Sequence, residues 1–573
     1  MRVNIIILTR SHLRRRPPTL LHTSRQDAST HCLCGLPVDP SLPPPFTDTD
    51  LFSNRRRKCE VTQPGQACAY CKSRNVQCSF AVTNTTSNIK NTASSWHGPS
   101  PTSNDGDGLD LALWPSTSAP SNGIPPQDVC EELVRLYFQY IHDTFHSLFH
   151  APSLMEDVRN GVIPRVILLS IISLSSRFST DLYFAGIDPR VRGRQYAREA
   201  ERLLDLRDIS VTTIQACVLL GAFVITEGEA LPESLYYSVA CRLAMAIDLP
   251  NSPVSTRLEQ ETNIRIWWSL CMIDVWSSNG VRLPRSIVPR DDVPFPMEEV
   301  VFLEMRRENF DLPSPTMMQE SAASLLTQMV KLNAILVEVG ELNRAAAANQ
   351  SFSFELYASV DSLTKKLDDW YANLPEQLKD TPENLRHYAD LGLGYFFVAV
   401  YLGYYHYGQL LYYQYLHEDS YDEVSHAGYY AAKCKAHSTA LCEILYRAYT
   451  HPGCEVYYTM VGHVLVIAST VQLHILLFSL DDSQVKLARS RLERNFEILT
   501  RLQTFWPTLD VCFTRFREFH KACQKSKESS FRLDRWMLQF LFEFAKPVGE
   551  KTDELAELHP WSMTDLGFSP YTL

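Results

Sequence analysis

The sequence predicts an all-α protein: a large helical body, preceded by a small cysteine-rich basic module and a polar linker. Three observations carry that prediction. From about residue 127 onward, apolar residues recur at three- and four-residue spacing in segment after segment. Alternating strand patterns are essentially missing, and proline and glycine fall mostly between the periodic segments, as in "LPNSP" and "VRLPRSIVPRDDVPFP". At 573 residues, with 45% hydrophobic and 11% aromatic content, the chain has ample apolar surface for a substantial core.

Taken in order, residues 1–54 show no periodicity and include "PVDPSLPPPF", so nothing there is expected to fold alone. Residues 1–26 are rich in arginine and free of acids, weakly similar to a transit peptide; the plainer expectation is unstructured or wrongly framed sequence. Residues 55–80, "RRRKCEVTQPGQACAYCKSRNVQCSF", are the densest chemistry in the chain. Residues 81–126 are rich in Ser, Thr, Asn, Pro and Gly and read as a flexible linker, within which "DGDGLDLALW" alternates acids with bulky apolar residues.

The helical body is expected over 127–545. "CEELVRLYFQYIHDTF" sets Leu133, Leu136, Tyr137, Tyr140 and Ile141 on one face. The pattern repeats over 211–225, 236–249, 262–279 and 359–375, and near 391–417, 427–448, 461–480, 484–505 and 531–545. No segment reads as a membrane span: 391–405 and 464–480 are apolar but short of the roughly 18–20 residues required, and the second contains Gln472 and His474. Residues 546–573 form a tail mixing acids with Trp561, Met563, Leu566 and Phe568, a composition that suits a coactivator-binding segment or a docked strap.

Charge is distributed unevenly. Residues 1–80 hold 12 Lys and Arg against 5 Asp and Glu, whereas the remainder holds 42 against 60. A basic head on an acidic body points to a head that meets a polyanion. Fifteen cysteines in this length is not disulfide-rich, and beyond residue 78 they sit singly on apolar stretches, as reduced core thiols do.

Cys59, Cys68, Cys71 and Cys78 have the spacing C-x8-C-x2-C-x6-C. A C-x2-C pair places two thiolates on one turn, about the separation that tetrahedral zinc requires. Lys72 and Arg74 beside them help keep the thiolates ionised. Arg55, Arg56, Arg57 and Lys58 directly precede the first ligand. Held rigidly there, they could reach phosphates and the two acceptors of a guanine edge; otherwise four adjacent cations are a solvated face or a nuclear-import signal.

This stretch resembles the fungal binuclear zinc-cluster transcription factors, in which six thiolates hold two zinc ions. By that resemblance Cys59, Cys68, Cys71 and Cys78 match the third to sixth ligands, Cys68 being a bridging one, and Arg55 to Lys58 match the DNA-reading stretch. The first and second ligands would fall at Thr49 and Phe52, which cannot bind zinc. As written, neither of two four-coordinate shells closes, so at most one ion is well held. Three arrangements stay open: Cys32 and Cys34 fold back as ligands, four cysteines hold a single zinc, or the reading frame before Asn54 is wrong.

The body supports the same resemblance. "YFQYIHDTFHSLFHAPSL" (137–154), "VTTIQACVLLGAFVITEG" with "SVACRLAMAIDL", "RIWWSLCMIDVWSSNGVRLPRSI" (265–287), "LDDWYANLP" and "VLVIASTVQLHI" are similar, in that order, to segments of the fungal-specific transcription-factor regulatory domain. The resemblance implies a nuclear, sequence-specific regulator of transcription. Its partners would be double-stranded DNA of the CGG-triplet type and a coactivator or small-molecule effector; a homodimer through the body stays open. The alternative from another class is a helical partner-binding protein that has lost specific DNA binding. No G-x-S-x-G, P-loop, G-x-G-x-x-G turn or H-E-x-x-H occurs, so an enzyme is not expected.

Three structural expectations complete the reading. Trp267 and Trp268 should be core residues. Asp274 should pair with Arg265 or Arg282. His142, His146 and His150, at i, i+4 and i+8, share one face if the helix continues, and are expected to be satisfied structural histidines rather than ligands.

Overall fold

A computed structural model describes residues 124–307, 322–348, 354–417 and 426–551. They are all-α, with no strand among the described residues. The helices are α1 (Gln127–Tyr140), α2 (Ala151–Arg159), α3 (Arg165–Ser175), α4 (Arg194–Leu203), α5 (Val211–Thr226), α6 (Ala230–Ala246) and α7 (Arg257–Val281). After the short α8 (Glu299–Glu304) come α9 (Leu325–Ala348), α10 (Phe354–Ala372), α11 (Pro382–Asp390), α12 (Gly394–Tyr412) and α13 (His426–Thr450). The last are α14 (Met460–Phe478), α15 (Asp482–Gln503), α16 (Leu509–Lys525), α17 (Lys527–Ser530) and α18 (Arg535–Phe542).

Neighbours in sequence are mostly neighbours in space, because short connections return each helix against the one before it. In the first half α1 packs on α2 and α3, α3 on α4 and α5, α5 on α6, and α6 on α7. In the second half α9 meets α10 and α12, α12 meets α13, and α14 meets α13, α15 and α16. Contacts of α9 with both α7 and α18 tie the halves into one hydrophobic core.

Two glycines permit close approaches inside the first half. A Cβ on Gly193 would lie 1.9 Å from the Ser173 carbonyl oxygen, so only glycine lets the start of α4 close onto α3. A Cβ on Gly221 would lie 2.4 Å from the Tyr237 ring, which packs α6 directly on the α5 backbone.

Helix α14 is 19 residues long and apolar enough, by length and composition, to cross a membrane, because it begins one turn before the apolar run at 464–480. It is instead a core helix. His463 Nε2 lies 3.0 Å from the Leu541 carbonyl, His474 Nε2 3.0 Å from the Leu416 carbonyl, and Gln472 donates to Ser438 Oγ at 2.9 Å. Each polar group on it that bonds this way finds its partner in a neighbouring segment of the same unit.

The three N-terminal histidines do not share a helical face. Helix α1 ends at Tyr140, and the backbone then turns through Asp143 at φ 65°. His142 accepts the Leu148 and Phe149 amides on Nε2 (3.0 and 3.1 Å), with Nδ1 2.9 Å from Asp143. His146 Nε2 lies 2.9 Å from the Tyr137 hydroxyl. His150 precedes α2 and holds Ser153 Oγ at 2.7 Å. Their spacing serves a folded loop, and a structural role for them stands on these bonds.

Candidate functional site

Cys59, Cys68, Cys71 and Cys78, together with Arg55, Arg56, Arg57, Lys58, Lys72 and Arg74, lie outside the described residues. Among the described residues no group of three or more His, Cys, Asp and Glu is arranged to hold a metal ion. The nine described cysteines are free and buried. Burial pushes thiols such as Cys130, at about 11, well above the range in which they ionise at neutral pH.

Helix α7 organises the described site. It starts with a capping box: Thr256 Oγ1 accepts the Glu259 amide at 3.2 Å while Glu259 accepts the Thr256 amide at 3.3 Å. One turn on, Arg265 reaches Glu261 (2.9 Å), Glu299 (3.6 Å) and the Met297 carbonyl (2.6 Å). Glu261 also accepts the Met297 amide, and Glu299 accepts Ser324 Oγ and the amides of Leu325 and Leu326. Burial pushes both carboxyls up, and the Arg265 guanidinium opposes it.

The two tryptophans are core residues as expected: Trp267 is 2% exposed, and Trp268 donates to the Pro294 carbonyl at 2.8 Å and stacks on Phe295. Asp274 pairs with neither arginine. It accepts the amides of Ser286 (2.9 and 3.0 Å) and Ile287 (3.3 Å), folding the "VRLPRSI" loop back on α7. Arg282, at φ 60°, reaches Glu543 instead, at 2.7 Å.

A partly open cavity of about 40 Å³ lies where Glu233 of α6 meets Ser277 of α7. By that measure about two or three waters would fill it. Phe145, Ile225, Tyr458, Met460 and Trp506 give it an apolar wall, and Glu233 is the one carboxylate on it. Trp506 is fixed by an Nε1 bond to the Tyr457 carbonyl at 2.5 Å and by Arg177, whose guanidinium carbon lies 4.2 Å from its ring centre.

Glu233 is 1% exposed. Its side chain takes a single hydrogen bond, from Ser277 Oγ at 2.8 Å, and has no ion-pair partner among the described residues. Burial pushes it up to about 8. Sequence reasoning gives no sign of this group. An acid in the first turn of a helix ordinarily reads as solvent-facing charge near the dipole's positive end.

Residues 134–372 match the family model described as fungal specific transcription factor domain. An uncharacterized transcriptional regulatory protein of Schizosaccharomyces pombe is 23% identical over 325 residues, 51% of this chain and 33% of that protein. A Zn(2)-C6 fungal-type transcription factor of Fusarium oxysporum f. sp. lycopersici is 26% identical over 216 residues, 35% of this chain and 22% of that protein. A second uncharacterized transcriptional regulatory protein of S. pombe is 22% identical over 325 residues, 49% of this chain and 38% of that protein. The chain thus spans well under half the length of these relatives. No solved structure matches.

Proposed function

The chain carries a fungal specific transcription factor domain, and from that premise we propose that it is a zinc-dependent, sequence-specific DNA-binding regulator of transcription acting in the nucleus. The observation that carries the proposal is the order of parts: four cysteines at metal-ligand spacing behind a cationic run, then a linker, then the regulatory domain.

Zinc fits the donor set in part. Four thiols at 59, 68, 71 and 78 suffice for one tetrahedral ion, and two ions require ligands that Thr49 and Phe52 cannot supply. Bound there, zinc would supply no chemistry beyond holding the thiolates and so fixing the chain between them. Arg55, Arg56, Arg57 and Lys58 would then face the duplex, with guanidinium forks suited to the O6 and N7 of guanine in a CGG-type triplet. Lys72 and Arg74 would take phosphates. The reading is of a regulator and not an enzyme, with a coactivator or small-molecule effector acting on the helical domain.

The test is fluorescence anisotropy of the full chain on a duplex carrying CGG triplets and on a scrambled one, over a salt series, with zinc measured on the same sample. A DNA-binding regulator shows a preference for the CGG duplex and a log–log salt slope of several units, about 0.9 per phosphate neutralised. It holds bound zinc, and Cys68→Ala loses both metal and preference. The residues at 49 and 52 favour one second reading, a helical partner-binding protein without specific DNA binding. Substoichiometric zinc with equal, weak affinity for both duplexes decides for it.

A further inference from the structure

The Glu233 cavity is built in a way that the packing of a regulatory domain does not require. An isolated buried carboxylate is among the costlier groups to place in a core, and the usual solutions are a paired arginine or lysine or several backbone amides. Both solutions occur nearby: Glu261 and Glu299 share Arg265, and Asp274 takes two loop amides. Glu233 has neither, only the Ser277 hydroxyl on Oε2. Its other oxygen takes no hydrogen bond, and the residue borders open space walled by Phe145, Ile225, Met460 and Trp506. His146, 1% exposed and with Nδ1 lacking any hydrogen-bond partner, borders the same space.

We propose that this cavity is an effector site for a small primary alkylammonium ion, its ammonium on Glu233 and its alkyl chain against the apolar wall. An ammonium offers three donors. At neutral pH Glu233 gives up its proton to solvent as the ammonium binds, and one donor then meets the free carboxylate oxygen in a charge-assisted bond, the strong class in a dry site. Neutral His146 can accept a second, because burial holds its ring near about 3 and keeps it uncharged. A cavity of about 40 Å³ encloses roughly two or three heavy atoms, the nitrogen and the first carbons, and a short alkyl chain leaves by its open side. The absence of any other carboxylate on the wall argues for a single positive charge, and the lack of a three-ligand cluster among the described residues argues against a metal ion. The word effector rests on the regulator reading; the binding itself does not.

The probe is n-propylammonium chloride, added to the full chain and followed by thermal shift and titration calorimetry, against sodium chloride of equal ionic strength and against n-propanol. The site predicts a saturable rise in Tm with propylammonium that neither control reproduces. Glu233→Gln, which keeps the shape, should weaken binding roughly tenfold or more, the range for a lost charged hydrogen bond. Ala222→Leu, which fills the cavity with Glu233 in place, should abolish the shift, and it keeps the test decisive if the first variant folds poorly. The proposal is overturned if propylammonium acts no differently from the salt control, or if Glu233→Gln binds it as well as the native chain. Duplex affinity is read separately. Amine binding without DNA binding would sink the regulator reading and leave the site. DNA binding without amine binding would sink the site alone.

Discussion

Glu233 shows how a single buried side chain sets a pH dependence. Its carboxyl stands near 8 in the folded chain against an ordinary value of about 4.5. Between those values the folded state holds a proton that the unfolded state has released, so stability falls as pH rises, by about 1.4 kcal/mol per pH unit. Ser277 donates to it whether or not it is charged, and the neighbouring titratable groups, Tyr237 and His146, are held neutral by burial throughout the range. Glu233→Gln, which mimics the protonated form, should therefore raise the thermal midpoint at pH 8, by an equivalent of about 4 kcal/mol, and change it little at pH 5. Melting curves of both chains at the two pH values check this, and a larger gain at pH 5 than at pH 8 sinks it. Residue-scale detail of this kind was the least legible in the sequence. The position of Glu233 in the first turn of α6 says nothing of Ser277, 44 residues away in the chain. Asp274 is readable as a satisfied acid, but the sequence marks arginines by residue type and does not mark the backbone amides that bind it. The 142, 146, 150 spacing suggests a helical face only while the helix continues, and a left-handed Asp143 ends that condition.

At the scale of elements the sequence carries more, because periodicity and caps are local. Apolar spacing marks 262–279, and α7 extends beyond it to 257–281, where packing contributes less to the pattern. The added turn at the start is specified by T-x-x-E at 256–259, a capping box whose two bonds form in the structure. Much depends on where this helix begins, since it positions Arg265 between two carboxylates and Ser277 on Glu233. Thr256→Ala removes the acceptor for one amide and should lower stability by about 1 kcal/mol, whereas Thr256→Ser should retain most of it. Thermal or denaturant midpoints of the two variants distinguish a cap from mere side-chain packing: equal losses in both would show that the methyl group, and not the hydroxyl, matters. Helix α14 marks the limit of element-scale reading. Its composition suits a core or a bilayer equally, and partners in distant segments, Leu541, Leu416 and Ser438, make it a core helix.

For the whole molecule, the all-α architecture was legible because the same pattern recurs over some four hundred residues, while how the helices associate was not. One consequence of that association is sensitivity to acid. Burial holds His146 and His406 near about 3 and His437 near about 4, and His463 well below its ordinary value. Neither ring nitrogen of His406 has a hydrogen-bond partner, and the ring lies stacked on Trp276 with His463 edge-on to it. These groups are neutral in the folded state and take up protons when the chain unfolds below about pH 6.5. Their stabilising contribution is complete above that value and is lost as pH falls toward 4 to 3. Between pH 7 and 5.5 these histidines lose part of that contribution, whereas Glu233, Glu261 and Glu299, pushed up by burial, titrate in the opposite sense. Denaturation midpoints at pH 7 and pH 5.5 read the histidine share by comparison with a variant. His406→Phe, which keeps an aromatic ring against Trp276 and cannot titrate, should lose less on acidification by about 1 kcal/mol. Equal changes between pH 7 and pH 5.5 in the native chain and in His406→Phe would sink this.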